Sequence, residues 1–192
     1  MKKFARSLRK MGGCRRVDFI VDWKQVNIKR ILDNMTSMTS TLTGDFGKYA
    51  AVYNQYADSA NLFDNWYVLK GQHLWSPLGL GEFDESGYLL KTAKNIAKPL
   101  KPLIRFYLLK AGVELKPHVD FKTKSCINLV WNREFSSITV DGVAYPYGQF
   151  LLDNTRMHGV PSCTSDRFII SFSFSERFEI VEEILQNNGI LR

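Results

Sequence analysis

Two histidines and one aspartate in this sequence have the side chains and the spacing to bind a metal ion. His118 and Asp120 are two residues apart in a segment that predicts a β-strand. Side chains alternate between the two faces of a strand, so His118 and Asp120 leave it on the same side. With His158 on a neighbouring strand, two imidazoles and one carboxylate would occupy one face of an octahedron. This ligand set, with its open coordination positions, is typical of catalytic iron(II) sites.

Arg167 adds a second chemical feature. It follows His158 by nine residues and begins a run rich in Phe and Ile that predicts a buried strand. A buried guanidinium requires an anion, so Arg167 indicates a carboxylate pocket beside the metal. The alternative is a structural salt bridge with Asp166 or a glutamate. Zinc can take the same three ligands, but the arginine favours iron with a cosubstrate that carries a second carboxylate.

These residues and their flanks resemble the Fe(II)/2-oxoglutarate-dependent dioxygenases, and in particular the aspartyl/asparaginyl β-hydroxylase branch. Residues 105–120 resemble the strand, glycine turn and metal-ligand strand of that branch, and residues 148–158 its glycine-led strand that ends on the distal histidine. The similarity covers about residues 88–175. Asp120 departs from those members of the branch that have glycine at this position. We therefore do not transfer the aspartyl or asparaginyl specificity to this chain.

The resemblance implies a centre in which His118, Asp120 and His158 bind Fe(II). 2-Oxoglutarate would chelate the metal through its C1 carboxylate and 2-oxo group, and Arg167 would bind its C5 carboxylate. Tyr107 and Asn128 are further candidates for binding the cosubstrate. The implied reaction consumes O2 and 2-oxoglutarate, releases succinate and CO2, and hydroxylates a small molecule or a peptide. An amino-acid side chain is the substrate that we expect.

Two other functions stay open on the sequence alone. One is a non-catalytic, cupin-like binding module that keeps the fold. The other is a dioxygenase that modifies nucleic acid through a basic N-terminal arm, since residues 1–16 hold seven Lys and Arg and no acid. The remaining 19 basic residues balance 19 acidic ones, so no basic face is indicated elsewhere. A solvated, partly disordered terminus is the simpler interpretation of residues 1–16, and nucleic acid is not the favoured partner.

Length and composition predict one domain, residues 17–192, behind this arm, because 192 residues with 45% hydrophobic content can form a full core. No apolar run reaches the ~18 residues that span a bilayer, so we expect no membrane contact. The basic start lacks the apolar region of a secretory signal. Cys14, Cys126 and Cys163 show no CxxC spacing. Reduced thiols in a cytoplasmic protein are therefore expected.

Hydrophobic periodicity predicts helices in the first half and strands in the second. The predicted helices lie at 23–41, 47–57, 88–97 and 176–186. The predicted strands lie at 66–70, 104–109, 113–121, 125–131, 137–140, 143–145, 149–153 and 167–175. This order of elements suggests an antiparallel barrel or sandwich with helices packed on one sheet. The resemblance to the dioxygenases implies the specific form: an α+β, mainly β fold, a double-stranded β-helix (cupin-like jelly roll), with the N-terminal helices packed on one sheet.

Overall fold

A computed structural model describes residues 12–19, 21–38, 64–69, 83–120, 123–131, 137–146 and 149–191. Its strands are β1 Cys14–Arg16, β2 Met35–Ser37, β3 Trp66–Leu69, β4 Leu103–Leu109, β5 Leu115–His118, β6 Ser125–Val130, β7 Ser137–Val140, β8 Val143–Pro146, β9 Phe150–Asp153, β10 His158–Val160 and β11 Arg167–Phe174. Its α-helices are α1 Ile28–Asp33, α2 Tyr88–Ala97 and α3 Phe178–Asn187, preceded by a 3-10 helix, Trp23–Gln25. The predicted helix at 47–57 lies outside the described residues.

The strands form two antiparallel sheets whose order defines the fold. The large sheet runs β1-β9-β6-β11-β4-β3-β2, and the small sheet runs β5-β10-β7-β8. From β4 to β11 the chain crosses repeatedly between them, so that β9-β6-β11-β4 in one sheet faces β5-β10-β7-β8 in the other. This interleaving of eight strands is the double-stranded β-helix, or cupin-like jelly roll. The predicted fold class is therefore confirmed.

The large sheet separates the main hydrophobic core from the space between the sheets. Strand β11 is buried along its whole length, and its side chains alternate. One set packs with α2 and α3 in the main core: Phe168, Ile170, Phe172 and Phe174. The intervening set faces a cavity between the sheets: Ile169, Ser171 and Ser173. Each fully buried Phe or Ile contributes roughly 1.5–3 kcal/mol, so the helices stabilise the sheet from its outer face and leave its inner face available.

The predicted helix at 23–41 is wrong in its extent. Asn27 accepts a hydrogen bond from the Arg30 backbone N–H, which starts α1 at Ile28. The helix ends at Asp33, and the side-chain amide of Asn34, the next residue, donates to the Arg30 carbonyl oxygen. Residues Met35–Ser37 then pair with β3. Pairing of residues 35–37 with β3 therefore outweighs their helical hydrophobic pattern. That pattern reports which side chains are buried more than it reports a preference of the backbone for helix.

The first described residues belong to the fold. Strand β1 pairs with β9, and the Arg15 Nε atom lies 2.5 Å from a carboxylate oxygen of Glu182 on α3. The C-terminal part of the predicted arm is therefore a strand, and residues 1–11 lie outside the described residues. Cys14, Cys126 and Cys163 are buried and free of disulfides. Among the described helices, none has the length and apolar character needed to span a membrane.

Candidate metal centre

His118 and His158 face each other across two paired strands. Strands β5 and β10 are antiparallel, and His118 is the direct partner of His158 in their register. Direct cross-strand partners on one face have neighbouring side chains, and the two imidazole rings lie 4.4 Å apart between centroids. Pro117 is compatible with β5 because this strand is an edge of the small sheet, where a missing N–H is tolerated.

Both imidazoles are oriented by backbone carbonyls. The Nδ1 atom of His118 lies 2.8 Å from the Lys116 carbonyl oxygen, and that of His158 lies 2.9 Å from the Arg156 carbonyl oxygen. Each Nδ1–H donates to its carbonyl, so the lone pair of each ring is on Nε2. This second hydrogen bond is the usual way in which proteins fix a metal-binding histidine. Both Nε2 atoms are directed at the same carboxylate.

Asp120 completes the cluster and is held by Asn154. Its Oδ1 atom lies 3.6 Å from His118 Nε2 and 4.0 Å from His158 Nε2. Its Oδ2 atom accepts a hydrogen bond from Asn154 Nδ2 at 2.8 Å. The Asp120 backbone N–H also donates to the Asn154 carbonyl oxygen at 2.9 Å. Cys126 donates its S–H to Asn154 Oδ1, which fixes the orientation of the amide.

The electrostatics of the cluster separate the two histidines. Burial lowers the pKa of His118, but the hydrogen bond and the charge of Asp120 outweigh it, so the pKa is raised above its usual value. Burial also lowers the pKa of His158, and the attraction of Asp120 does not compensate for it, so that pKa remains below its usual value. In the absence of a metal, Asp120 therefore favours the protonated form of His118 more than that of His158.

The donor set fits a divalent transition metal. One donor atom from each of His118, Asp120 and His158 lies within 4.8 Å of the others. An ion about 2.0–2.2 Å from each donor requires the donors to be roughly 3 Å apart, so small side-chain rotations close the site. Two imidazoles and a carboxylate match the facial triad. With this fold, the cluster fits a metal-binding cupin.

The triad lies at one cavity, which has a volume of about 120 Å³ between the sheets. Tyr107 on β4 and Asn128 on β6 also line it, so the cavity brings together five of the six predicted site residues. Burial raises the pKa of Tyr107 to about 12, so its hydroxyl is a neutral hydrogen-bond donor at physiological pH. The lining is otherwise mostly apolar, as in typical ligand sites.

Arg167, the sixth predicted residue, lies near the end of the cavity but not in its wall. It pairs with Leu109 in the sheet, is 1% exposed, and donates to the Pro161 carbonyl and to Cys163 Sγ. Its Nη1 atom has no hydrogen-bond partner among the described residues. Asp166 does not pair with it, because that carboxylate binds Lys110 Nζ at 2.6 Å. The structure thus favours neither the alternative salt bridge with Asp166 nor direct contact with the cavity.

Two residues of the site were not identified from the sequence. Asn154 positions Asp120 and lies in the turn that follows β9. No motif in the sequence around it indicated this role. Arg105, which lines the cavity, was considered only as the start of the strand that resembles the dioxygenases. An arginine at alternate spacing with Tyr107 in an apolar strand is a signal that could have found it, since both must share one face.

Comparisons with known proteins gave no protein-family model and no curated protein that matches this chain. A solved structure of an RmlC-like cupin protein from Desulfovibrio desulfuricans is 23% identical, with 36% of this chain and 69% of that chain covered and a TM-score of 0.30. Ectoine synthase from P. lautus is 17% identical, with 68% and 81% covered and a TM-score of 0.35. At these values neither similarity carries an argument about this chain.

Proposed function

We propose that this protein is an Fe(II)- and 2-oxoglutarate-dependent dioxygenase that hydroxylates an amino-acid or peptide side chain. The observation that supports this most is the facial arrangement of His118, Asp120 and His158 at a buried cavity. The dioxygenase class itself rests on the resemblance of the motifs and their flanks. The comparisons with solved structures do not contribute to it.

Each residue of the proposed site has one task. His118, Asp120 and His158 hold the metal and leave up to three coordination positions open. Arg167 lies beside the cavity and outside its wall, and its Nη1 atom is unpaired among the described residues; its proposed task is to bind the C5 carboxylate of the cosubstrate once the ligands are in place. Asn128 and the hydroxyl of Tyr107 supply neutral polar contacts to it. The apolar wall excludes water from the reacting groups.

Bound iron and 2-oxoglutarate would supply the oxidising chemistry, in which one oxygen atom of O2 enters a substrate C–H bond and the other enters succinate as CO2 is released. The residues of this chain bind and orient the reactants. In the metal-free site, Asp120 raises the pKa of His118 above its usual value, so protons compete with the metal for this imidazole.

The first test measures binding, in the absence of O2, with Mn(II) in place of iron. We expect wild-type protein to bind one Mn(II) and then one 2-oxoglutarate, and His118→Ala to lose both. Arg167→Lys should retain Mn(II) affinity within about twofold but bind 2-oxoglutarate roughly ten- to a hundredfold more weakly. The reason is that it loses part of a charged fork whose hydrogen bonds contribute about 1.5–3 kcal/mol each.

Arg30→Lys is the matched control, because Arg30 forms a surface ion pair with Glu85 away from the cavity. This variant should bind both ligands like wild type. Absence of 2-oxoglutarate binding to the wild-type Mn(II) protein would refute the proposed class and leave a metal-binding cupin of another kind. Succinate release with Fe(II) and O2 then distinguishes an enzyme from a non-catalytic binding module.

A further inference from the structure

Arg105 is a buried cation in the wall of the cavity. It lies in β4 and is 5% exposed. Its Nη1 atom donates to the Thr123 hydroxyl at 3.1 Å, and its Nε atom has no hydrogen-bond partner among the described residues. Within the same part of the chain, no carboxylate forms an ion pair with it.

Arg105 begins a row of polar side chains that crosses the inner face of the large sheet. Its direct partner on β11 is Ser171, and the partner of Ser171 on β6 is Asn128. Direct partners on neighbouring strands share one face, and all three residues line the cavity. Ser173, two residues further along β11, has its Oγ atom 3.3 Å from that of Ser171. This row therefore forms the wall of the cavity opposite the two histidines, which lie on the small sheet.

No neighbouring side chain supplies the negative charge that Arg105 requires. Burial raises the pKa of Tyr107 and of Cys126 to about 12, so both are neutral at physiological pH. The oxygens of Asp120 are directed at other groups, Oδ1 at the two imidazoles and Oδ2 at Asn154. A buried guanidinium with an unused N–H and no ion pair is costly in free energy. The missing anion is therefore expected to be part of a ligand in the cavity.

The hydrogen-bond donors around Arg105 approach from more than one side. Ser171 projects from the large sheet, whereas Thr123 lies in the segment that joins β5 of the small sheet to β6 of the large one. Thr123 accepts from Arg105, which leaves its own O–H to donate, and hydroxyl hydrogens rotate to suit an acceptor. A carboxylate offers two oxygens in one plane, but a phosphate group offers three around a tetrahedral centre. Donors on several sides suit the tetrahedral group better.

We propose that Arg105, Thr123 and Ser171 form a subsite for a tetrahedral oxyanion, so that the cavity takes a small ligand that carries a phosphate or sulfate ester. The guanidinium supplies the charge and a free N–H, and the two hydroxyls bind the remaining oxygens. The subsite requires neither the metal nor 2-oxoglutarate, and it does not depend on which anion Arg167 binds. It goes beyond the proposed dioxygenase function, because it concerns the wall that faces the metal ligands.

The experiment uses metal-free protein, so that an anion bound to the metal cannot imitate the subsite. Methyl phosphate and methyl sulfate are titrated by calorimetry at pH 7.5. Acetate and succinate serve as planar carboxylates that carry one and two charges. We expect at least one ester to bind about tenfold or more tightly than both carboxylates, because one further hydrogen bond to a charged group contributes at least about that factor.

Three variants test the named residues. Arg105→Gln removes the charge and should weaken ester binding by about tenfold or more. Ser171→Ala and Thr123→Val each remove one hydroxyl, and each should weaken ester binding severalfold. Arg30→Gln is the matched control, because it removes a surface arginine that pairs with Glu85 outside the cavity. This control should bind the esters like wild type.

Melting curves show which variants fold. If Arg105→Gln does not fold, Ser171→Ala and Thr123→Val decide the matter, since both leave the charge of Arg105 in place. Weaker ester binding in these two variants supports the subsite, and unchanged ester binding in both overturns it.

The other outcomes are distinguishable. Equal binding of esters and carboxylates by wild type would overturn the inference, and so would a folded Arg105→Gln protein with wild-type ester affinity. Inorganic phosphate is titrated as well, and its binding with exclusion of both methyl esters would mean an adventitious ion only, which also overturns the inference. Failure of the proposed function is a different result: wild-type Mn(II) protein would not bind 2-oxoglutarate, whereas ester binding is measured without either.

Discussion

Asn154 shows how strongly the chemistry of the centre depends on a residue that binds no metal. Its amide holds Asp120 Oδ2 at 2.8 Å, and its backbone carbonyl accepts the Asp120 N–H at 2.9 Å. Asp120 lies beyond the end of β5, so hydrogen bonds between strands do not fix the direction of its carboxylate. Asn154 provides this orientation from the end of β9. Outer partners of this kind commonly change metal affinity 10–100-fold.

We therefore expect Asn154→Ala to weaken Mn(II) binding by roughly tenfold or more while the protein stays folded. The variant leaves the backbone contact intact and removes only the amide that restrains the carboxylate. Titration of Mn(II) against a competing chelator measures the change. Thr155→Ala is the control, since the Thr155 hydroxyl bonds to Asp153 on an exposed turn. Wild-type affinity in Asn154→Ala would show that Asp120 needs no support beyond the backbone.

At the residue scale, the sequence was informative where a short-range rule applies. The period of a strand predicted that His118 and Asp120 share one side. The structure places both in one cluster with His158, although β5 ends at His118 and Asp120 lies just beyond the predicted strand's observed end. The location of Arg167 relative to the cavity could not be derived this way. It depends on the path of residues 161–166, whose Pro161 carbonyl and Cys163 sulfur hold the guanidinium. Such contacts are set by the fold and not by spacing.

At the scale of the elements, β10 positions the distal histidine and was not among the strands that hydrophobic periodicity predicted. It has three residues, His158–Val160, too few to show alternation. Its conformation is imposed by β5 on one side and β7 on the other. Gly159 allows this close packing, because a Cβ atom there would lie 3.0 Å from both the Leu115 carbonyl oxygen and the Pro117 nitrogen.

Gly159→Ala should therefore separate β5 from β10 and weaken the metal site along with the fold. Overpacking of this kind costs about 1–3 kcal/mol, which for a protein of this size lowers the melting temperature by roughly 2–12 °C. We expect Mn(II) affinity to fall about tenfold or more, because the two strands set the His118–His158 separation. Both quantities follow from a melting curve and a Mn(II) titration of the same preparation.

Gly142→Ala is the matched control for this prediction. Gly142 has a φ of 79° in the β7–β8 hairpin, and nothing lies within 4 Å of a Cβ placed there. Alanine at this position costs about 1–2 kcal/mol through its left-handed backbone without moving β10 against β5. It should lower the melting temperature and leave Mn(II) affinity unchanged. Equal loss of affinity in both variants would mean that general destabilisation, and not strand spacing, weakens the site.

On the scale of the whole molecule, the fold keeps its main source of stability apart from its chemistry. The larger core cluster joins the helices to the outer face of the large sheet, and the metal ligands lie on the small sheet and the turns beside it. The sequence predicted only that helices pack on one sheet, because helical periodicity is followed by strand periodicity along the chain. It could not predict that residues 35–37 become a strand, since that depends on a distant partner, β3.

This arrangement makes the metal a cross-link between β5 and β10 that adds to stability in a pH-dependent way. At a free Mn(II) concentration about a hundred times its dissociation constant, binding stabilises the folded state by roughly 2.7 kcal/mol. We expect the melting temperature at pH 7.5 to rise by about 5–10 °C with Mn(II). His118→Ala should abolish this rise, and excess chelator should reverse it in wild type.

The sign of the pH dependence follows from His118. Burial lowers its pKa, but Asp120 outweighs this and raises it, so the metal-free folded protein binds this proton more tightly than the unfolded chain does. That contribution is fully present below the ordinary histidine value of 6.5 and is lost as the pH rises through the raised value. Protons compete with the metal for His118, so acid favours the protonated His118–Asp120 pair and weakens metal binding.

At a fixed Mn(II) concentration, the increase in melting temperature should therefore shrink by at least half between pH 7.5 and pH 5.5, because each displaced proton lowers affinity about tenfold per pH unit below the pKa. Melting curves with and without Mn(II) at the two pH values measure it, and an equal or larger increase at pH 5.5 would contradict the assignment of His118 as a ligand.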